Sequence, residues 1–317
     1  MIEARGLTKR FGSLTALHDL TLDIGAGEVF GFIGPNGAGK STTMKILACL
    51  LRPDAGTAKV CGLDIASRGD DIRACIGYMP DFLGVYDDLT VDEYLQFFAA
   101  AFRVPRARRK VIVGQVLELT DLTEKRDALV DSLSRGMQQR LGVARVLIHD
   151  PKVLLLDEPA SGLDPRARIE MRSLLVELGR MGKTLMVSSH ILSELAEMCT
   201  SIGIVERGRL LFAGSIQEAY ERTRTAQGHG ERIGVRLDPG GADVHRAKAA
   251  LEGDPRVARV LVDELQRTLA VELTPGTHGH HFLIEALVAC GARIGAFQPE
   301  DVKLEDAFLK LTTGALQ

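Results

Sequence analysis

Short apolar runs alternate along this chain with stretches whose apolar residues recur at helical spacing. "EVFGFIG" (28–34) is a compact apolar run that predicts a buried strand, and "GKSTTMKILACLL" (39–51) follows it with helical periodicity. "RPDAG" (52–56) reads as a turn. From about 82 to 150 the pattern is mostly helical, as in "VDEYLQFFAAAF" (91–102) and "GMQQRLGVARVLI" (136–148). "KVLLLDEP" (152–159) predicts a buried strand ending in acids and a proline. "RIEMRSLLVELGRMG" (168–182) predicts an amphipathic helix closed by glycine, "TLMVSSH" (184–190) a strand, and "ILSELAEMC" (191–199) a helix. This alternation is that of an α/β domain.

Apolar residues thin out at "ERTRTAQGHGE" (221–231), where a linker is expected. Beyond it the order is strand "RIGVRL", helix "DVHRAKAALEG", strands "VARVLVD" and "TLAVEL", helix "HFLIEALVACG", strand "RIGAF" and a last helix "LEDAFLKLT" (304–312). That is βαββαβ plus a helix, a small ferredoxin-like α+β domain. The expected organisation is therefore 1–222, a linker at 223–231, and 232–317 as an accessory or regulatory domain.

Composition narrows the picture little. Lys and Arg number 39 against 42 Asp and Glu, a formal charge of −3 that gives no electrostatic footprint for general nucleic-acid binding. No apolar run approaches the ~18 residues of a spanning helix, and "MIEARGLTKRFG" has no apolar signal core. Cys49, Cys61, Cys75, Cys199 and Cys290 have neither metal nor disulfide spacing, fit a reducing compartment, and read as small buried hydrophobes.

The chemistry is concentrated in a few motifs. "GPNGAGKST" (Gly34, Pro35, Asn36, Gly37, Ala38, Gly39, Lys40, Ser41, Thr42) matches G-x-x-x-x-G-K-[ST] between a strand and a helix. Its glycines let backbone N–H groups wrap a phosphate, Lys40 reaches the β- and γ-phosphates, and the Ser41 hydroxyl can ligate Mg²⁺. Asp157 closes the strand "VLLLD", where a carboxylate can hold Mg²⁺ through water, and Glu158 beside it can deprotonate an attacking water. His190, at a strand tip on the phosphate edge, is placed for a γ-phosphate contact. Phe11 taken alone reads as core, although an aromatic there could stack on adenine. "LSRGMQQR" (133–140) has the chemistry of a second anion-binding helix start.

In this order the motifs resemble those of the ATP-binding subunits of ABC transporters, over roughly residues 1–220. Gly34–Thr42 looks like the family's phosphate loop, "LSRGMQQR" like its signature (usually Leu-Ser-Gly-Gly-Gln), and "LLLDEP" like the strand that carries the metal-binding aspartate and catalytic glutamate. "SGLD" (161–164) resembles the loop that ends at Asp164, His190 the switch histidine, and Phe11 the adenine-stacking aromatic. The resemblance implies a phosphate-loop NTPase domain with a helical subdomain at about 82–150. It implies ATP and Mg²⁺ as ligands and a head-to-tail pair of subunits, in which Ser134 and Gly136 of one close over the ATP held by the other. It also implies a separate transmembrane permease, and hence work at the cytoplasmic face of the cell membrane. The closing "LEDAFLKLT" is similar to tails of the export branch.

Two positions depart from the family pattern. Arg135 and Met137 stand where the signature has glycine and glutamine, and Arg135 is expected to face solvent. Asp81 in "GYMPD" stands where the family has a metal-contacting glutamine; a shorter anion there implies a water-mediated metal contact and a role in coupling. The basic run "RVPRARRK" (103–110) reads as a solvated face, and His278, His280 and His281 as an exposed loop. A soluble ABC-type ATPase acting on ribosomes or DNA usually carries two nucleotide units or a long coiled coil, whereas this sequence shows one unit and no long heptad run, and a phosphate-loop kinase or regulatory switch leaves "LSRGM" and "SGLD" unexplained.

Overall fold

The computed structural model describes residues 1–82, 84, 88–219, 231–274, 276–277 and 279–299. The expected last helix at 304–312, His278 and all of the expected linker but Glu231 lie outside them. The described residues divide into two compact units, one of Met1–Ile216 and the other beginning at Gln217.

Two sheets build the first unit. β1 (Ile2–Phe11) pairs antiparallel with β2 (Leu14–Ile24) and with β4 (Ala55–Val60), and β5 (Leu63–Asp64) completes a sheet of order β2-β1-β4-β5. Alternation in β2 buries Leu20, Leu22 and Ile24 on one face, and an irregularity at Asp19 (φ 55°) lets Leu17 join them, against Ile2, Ala4 and Leu7 of β1. The second sheet contains β3 (Val29–Ile33), β6 (Ile76–Met79), β7 (Val153–Asp157), β8 (Thr184–Ser189), β9 (Ser201–Glu206) and β10 (Arg209–Ser215), in the order β10-β9-β3-β8-β7-β6. All its pairings are parallel except β9 with β10. Every residue of β3, β7 and β8 is buried, as expected for parallel strands covered on both faces.

Helices α1 (Lys40–Leu47), α2 (Gly69–Cys75), α6 (Pro165–Arg180) and α7 (Leu192–Ala196) connect these strands. The last is shorter than the nine-residue pattern suggests. The stretch expected to be helical contains α3 (Val91–Ala101), α4 (Arg106–Leu119) and α5 (Arg135–Leu147). Thr90 and Glu93 form a reciprocal capping box at the start of α3, and the buried Arg140 of α5 pairs with Asp121 at 2.8 Å. The exposed arginines of the basic run open α4, on a solvated face.

The second unit contains β11 (Arg232–Leu237), α8 (Val244–Glu252), β12 (Val257–Asp263), β13 (Thr268–Leu273), α9 (His281–Ala289) and β14 (Ile294–Pro299). Its antiparallel sheet has the order β12-β13-β11-β14, the ferredoxin-like arrangement expected from the element order. Ile233, Val235, Leu269, Val271, Leu283 and Leu287 form its core. The reading of "HGHH" as an exposed loop needs correction at His280. This residue is half-buried at the start of α9 and its Nε2 lies 2.7 Å from the Glu231 carboxylate, a partner distant in sequence.

Candidate active site

Parallel register decides which side chains meet. Ile33 of β3 is level with Ser189 of β8, and Asp157 of β7 with Ser188. Gly34, Glu158 and His190 therefore emerge from neighbouring strands at one edge of the sheet. Carboxyl ends of parallel strands are where open α/β sheets bind ligands.

The phosphate loop turns into α1 at Gly39, whose φ of 107° suits glycine alone. A Cβ there would also stand 2.7 Å from the Ala16 carbonyl oxygen. Lys40, 6% exposed, folds over the loop and donates to the Gly34 carbonyl at 2.6 Å and the Pro35 carbonyl at 3.3 Å. Its Nζ also lies 3.3 Å from Glu158 Oε1. Ser41 and Thr42 are half-buried in the first turn of α1.

Glu158 adopts the left-handed conformation, φ 51°, uncommon for a residue with a side chain and concentrated at functional sites. Its N–H donates to Ser188 Oγ at 2.9 Å, and Oε2 meets His190 Nδ1 at 2.9 Å. The carboxylate is thus held between a buried ammonium and an imidazole. Ser188 Oγ also donates to Asp157 Oδ1 at 2.6 Å, so one fully buried hydroxyl orients both acids. Ser188 belongs to no motif of its own, and its only signal in the sequence is its place in "SSH".

Asp81 follows β6 by two residues, on the same edge. Burial, then the charges of Asp157 and Glu158, push its carboxyl above the usual range, while Arg135 and His190 act in the opposite direction. Tyr78, on β6, is pushed up to about 12 by burial and by the charges of Asp157 and Asp81, so its hydroxyl stays protonated. An oxygen-rich, mutually repelling set of this kind suits a hard divalent cation. No cluster of three or more His, Cys, Asp or Glu in metal-holding geometry occurs among the described residues.

A family model described as ABC transporter matches residues 17–161. The Nod factor export ATP-binding protein I of Burkholderia orbicola is 40% identical over 214 residues, which cover 68% of this chain and 70% of that protein. This chain belongs to the ABC transporter ATP-binding family. The corresponding protein of Ralstonia nicotianae is 39% identical over 218 residues. The probable multidrug ABC transporter ATP-binding protein YbhF of Escherichia coli is 38% identical over 215 residues, or 37% of its own length. Among solved structures, a dimeric ATP-binding cassette in a post-hydrolysis state with ADP and Pi superposes with a TM-score of 0.62. It is 26% identical and the match covers 68% of this chain and 99% of that one.

In this ABC ATPase the stretch that resembles the family signature lies at the start of α5. Ser134 is the exposed N-cap, accepting from the Met137 N–H at 3.4 Å. Gly136 faces α6, where a Cβ would come within 2.8 Å of the Ala167 Cβ. Asp164 caps α6, its Oδ1 accepting from the N–H groups of Arg166 and Ala167 at 3.0 Å each. Arg135 is exposed, as expected, but its guanidinium rests on Gly162. Phe11 is 49% exposed at the end of β1 with Lys9 over its ring, so the core reading of this aromatic is wrong. Of the cysteines only Cys199 is buried; the other four are partly exposed. No described helix is long and apolar enough to cross a membrane.

Proposed function

We propose that this ABC ATPase closes as a pair of identical subunits around MgATP and drives export through a separate transmembrane permease at the cytoplasmic face of the membrane. The observation that carries the hydrolytic part is the suspension of Glu158 between Lys40 and His190, at the mouth of the phosphate loop. Backbone N–H groups of Gly34–Thr42 cradle the phosphates, and Lys40 exchanges its carbonyl partners for phosphate oxygens. Ser41 and Asp157 would hold Mg²⁺, with Asp81 contributing through water, and the ion would supply neutralising charge at the phosphates. Glu158 accepts the proton of a water whose oxygen attacks the γ-phosphorus as the bond to the β–γ bridging oxygen breaks, giving ADP and phosphate. His190 orients Glu158 and contacts the γ-phosphate.

Export is supported by the names of the relatives, which are Nod factor export and probable multidrug proteins. Pairing is supported by the exposed cap at Ser134, whose hydrogen bond stays within its own helix start. Light scattering on Glu158→Gln protein with and without MgATP tests the arrangement. The expected result is a monomer-to-dimer shift with nucleotide that Ser134→Arg abolishes. Nucleotide binding without any shift would overturn the homodimer.

A further inference from the structure

The segment from Glu158 to Asp164 joins the base to the cap of α6. It begins with a residue at φ 51°, turns through a bond from the Ser161 N–H to the Glu158 carbonyl at 3.0 Å, and reaches Gly162 at φ 67°. The guanidinium of Arg135 lies directly against this turn. A Cβ on Gly162 would stand 2.4 Å from Cζ and 2.6 Å from both Nη atoms, so the glycine is a seat for the fork. One residue on, Gly136 leaves the room that Ala167 occupies at the start of α6. Two close approaches, each possible only because one partner lacks a side chain, therefore dock the start of α5 on residues 162–167.

We propose that Arg135 is a positioning residue: its guanidinium, seated on Gly162, clamps the Glu158–Asp164 turn of its own subunit and thereby fixes the placement of Glu158. A planar guanidinium covers the turn more broadly than a lysine ammonium can, and it keeps its charge at any working pH. The proposal rests on Glu158 being the base for its catalytic consequence, but the clamp itself does not.

The test is hydrogen exchange, read by mass spectrometry on the full chain without nucleotide, combined with steady-state ATP hydrolysis. Arg135→Gly is expected to speed exchange in peptides spanning 158–164 about tenfold, with β3 and β9 unchanged and Arg135→Lys intermediate. Turnover is expected to fall about tenfold, with KM for ATP within about twofold of wild type. Gly162→Ala both pushes the exposed guanidinium off its seat and strains a backbone at φ 67°; only the strain remains when it is combined with Arg135→Gly, so its effect on turnover is expected to be larger in the wild-type background. Unchanged exchange in Arg135→Gly, a loss confined to KM, or independent effects of the two substitutions would each overturn the clamp. If Glu158→Gln keeps full activity while Arg135→Gly still loosens 158–164, the base assignment fails and the clamp stands.

Discussion

The two units solve opposite problems. In the second, every buried core residue is apolar and its ion pairs are exposed or partly exposed, as with Asp254 and Arg256. In the first, Lys40, Asp157, Ser188 and Ser189 are buried at one sheet edge, and Glu158 is held in a left-handed backbone. Among the described residues, every buried polar or charged side chain lies in the first unit. Buried polar and charged side chains are kept in the unit that carries the candidate site, while the core of the second unit is built from apolar side chains.

The sharpest way to break this contrast is to remove charge from the strained edge. Glu158→Gln should keep ATP binding and lower phosphate release by ~10²–10⁴-fold, since the amide cannot accept the proton. Near-full turnover would remove the base from Glu158. On the other side, Leu269→Ala empties a site at the centre of the second unit's core. It should cost ~2–5 kcal/mol of that unit's stability in denaturant melts while hydrolysis continues. Loss of hydrolysis in a protein whose first unit remains folded would show that the units share more than a chain.

How much of this was legible follows from which interactions are local. The phosphate loop, the acids after "VLLL" and the cap at Ser134 could be read because each needs only its own strand, turn or helix start. The ferredoxin-like unit was legible from element order, since βαββαβ leaves few ways to pair four strands. The sheet β2-β1-β4-β5 was not drawn, because joining β1 to β4 across the phosphate loop is a long-range pairing that no local pattern specifies. Ser188 is silent in the sequence for the same reason: it serves Asp157 only through the register of β7 with β8. Arg135 looked like a solvent-facing departure because Gly162, its seat, comes from a distant loop. His280 looked like part of a loop because its carboxylate partner, Glu231, stands far upstream.

Ser188 offers a finer cut. Ser188→Ala removes the donor to Asp157 Oδ1 and the acceptor for the Glu158 N–H together. Leaving a buried carboxylate short of a partner should cost ~1–3 kcal/mol in denaturant unfolding. Turnover should fall less than in Glu158→Gln. An unchanged stability would mean that Asp157 finds another donor, and that the order at this edge does not depend on one hydroxyl.

The smallest expected effect lies in the second unit. Arg256 donates to Asp254 through its backbone N–H and two guanidinium nitrogens, holding the carboxyl down at about 2. A carboxyl depressed on folding favours the folded state above its ordinary pKa of ~3.9, and that contribution fades as pH falls towards the folded value. Arg256 is exposed and Asp254 partly so, and solvent screens most of it. Melting of the second unit should therefore sag slightly more in the wild type than in Asp254→Asn between about pH 4 and pH 2, and the two should run parallel above pH 5. A parallel course throughout would show that the pair is fully screened. A large divergence would place a charge of real structural weight in a unit that otherwise stands on apolar packing, and the contrast between the two regions would weaken.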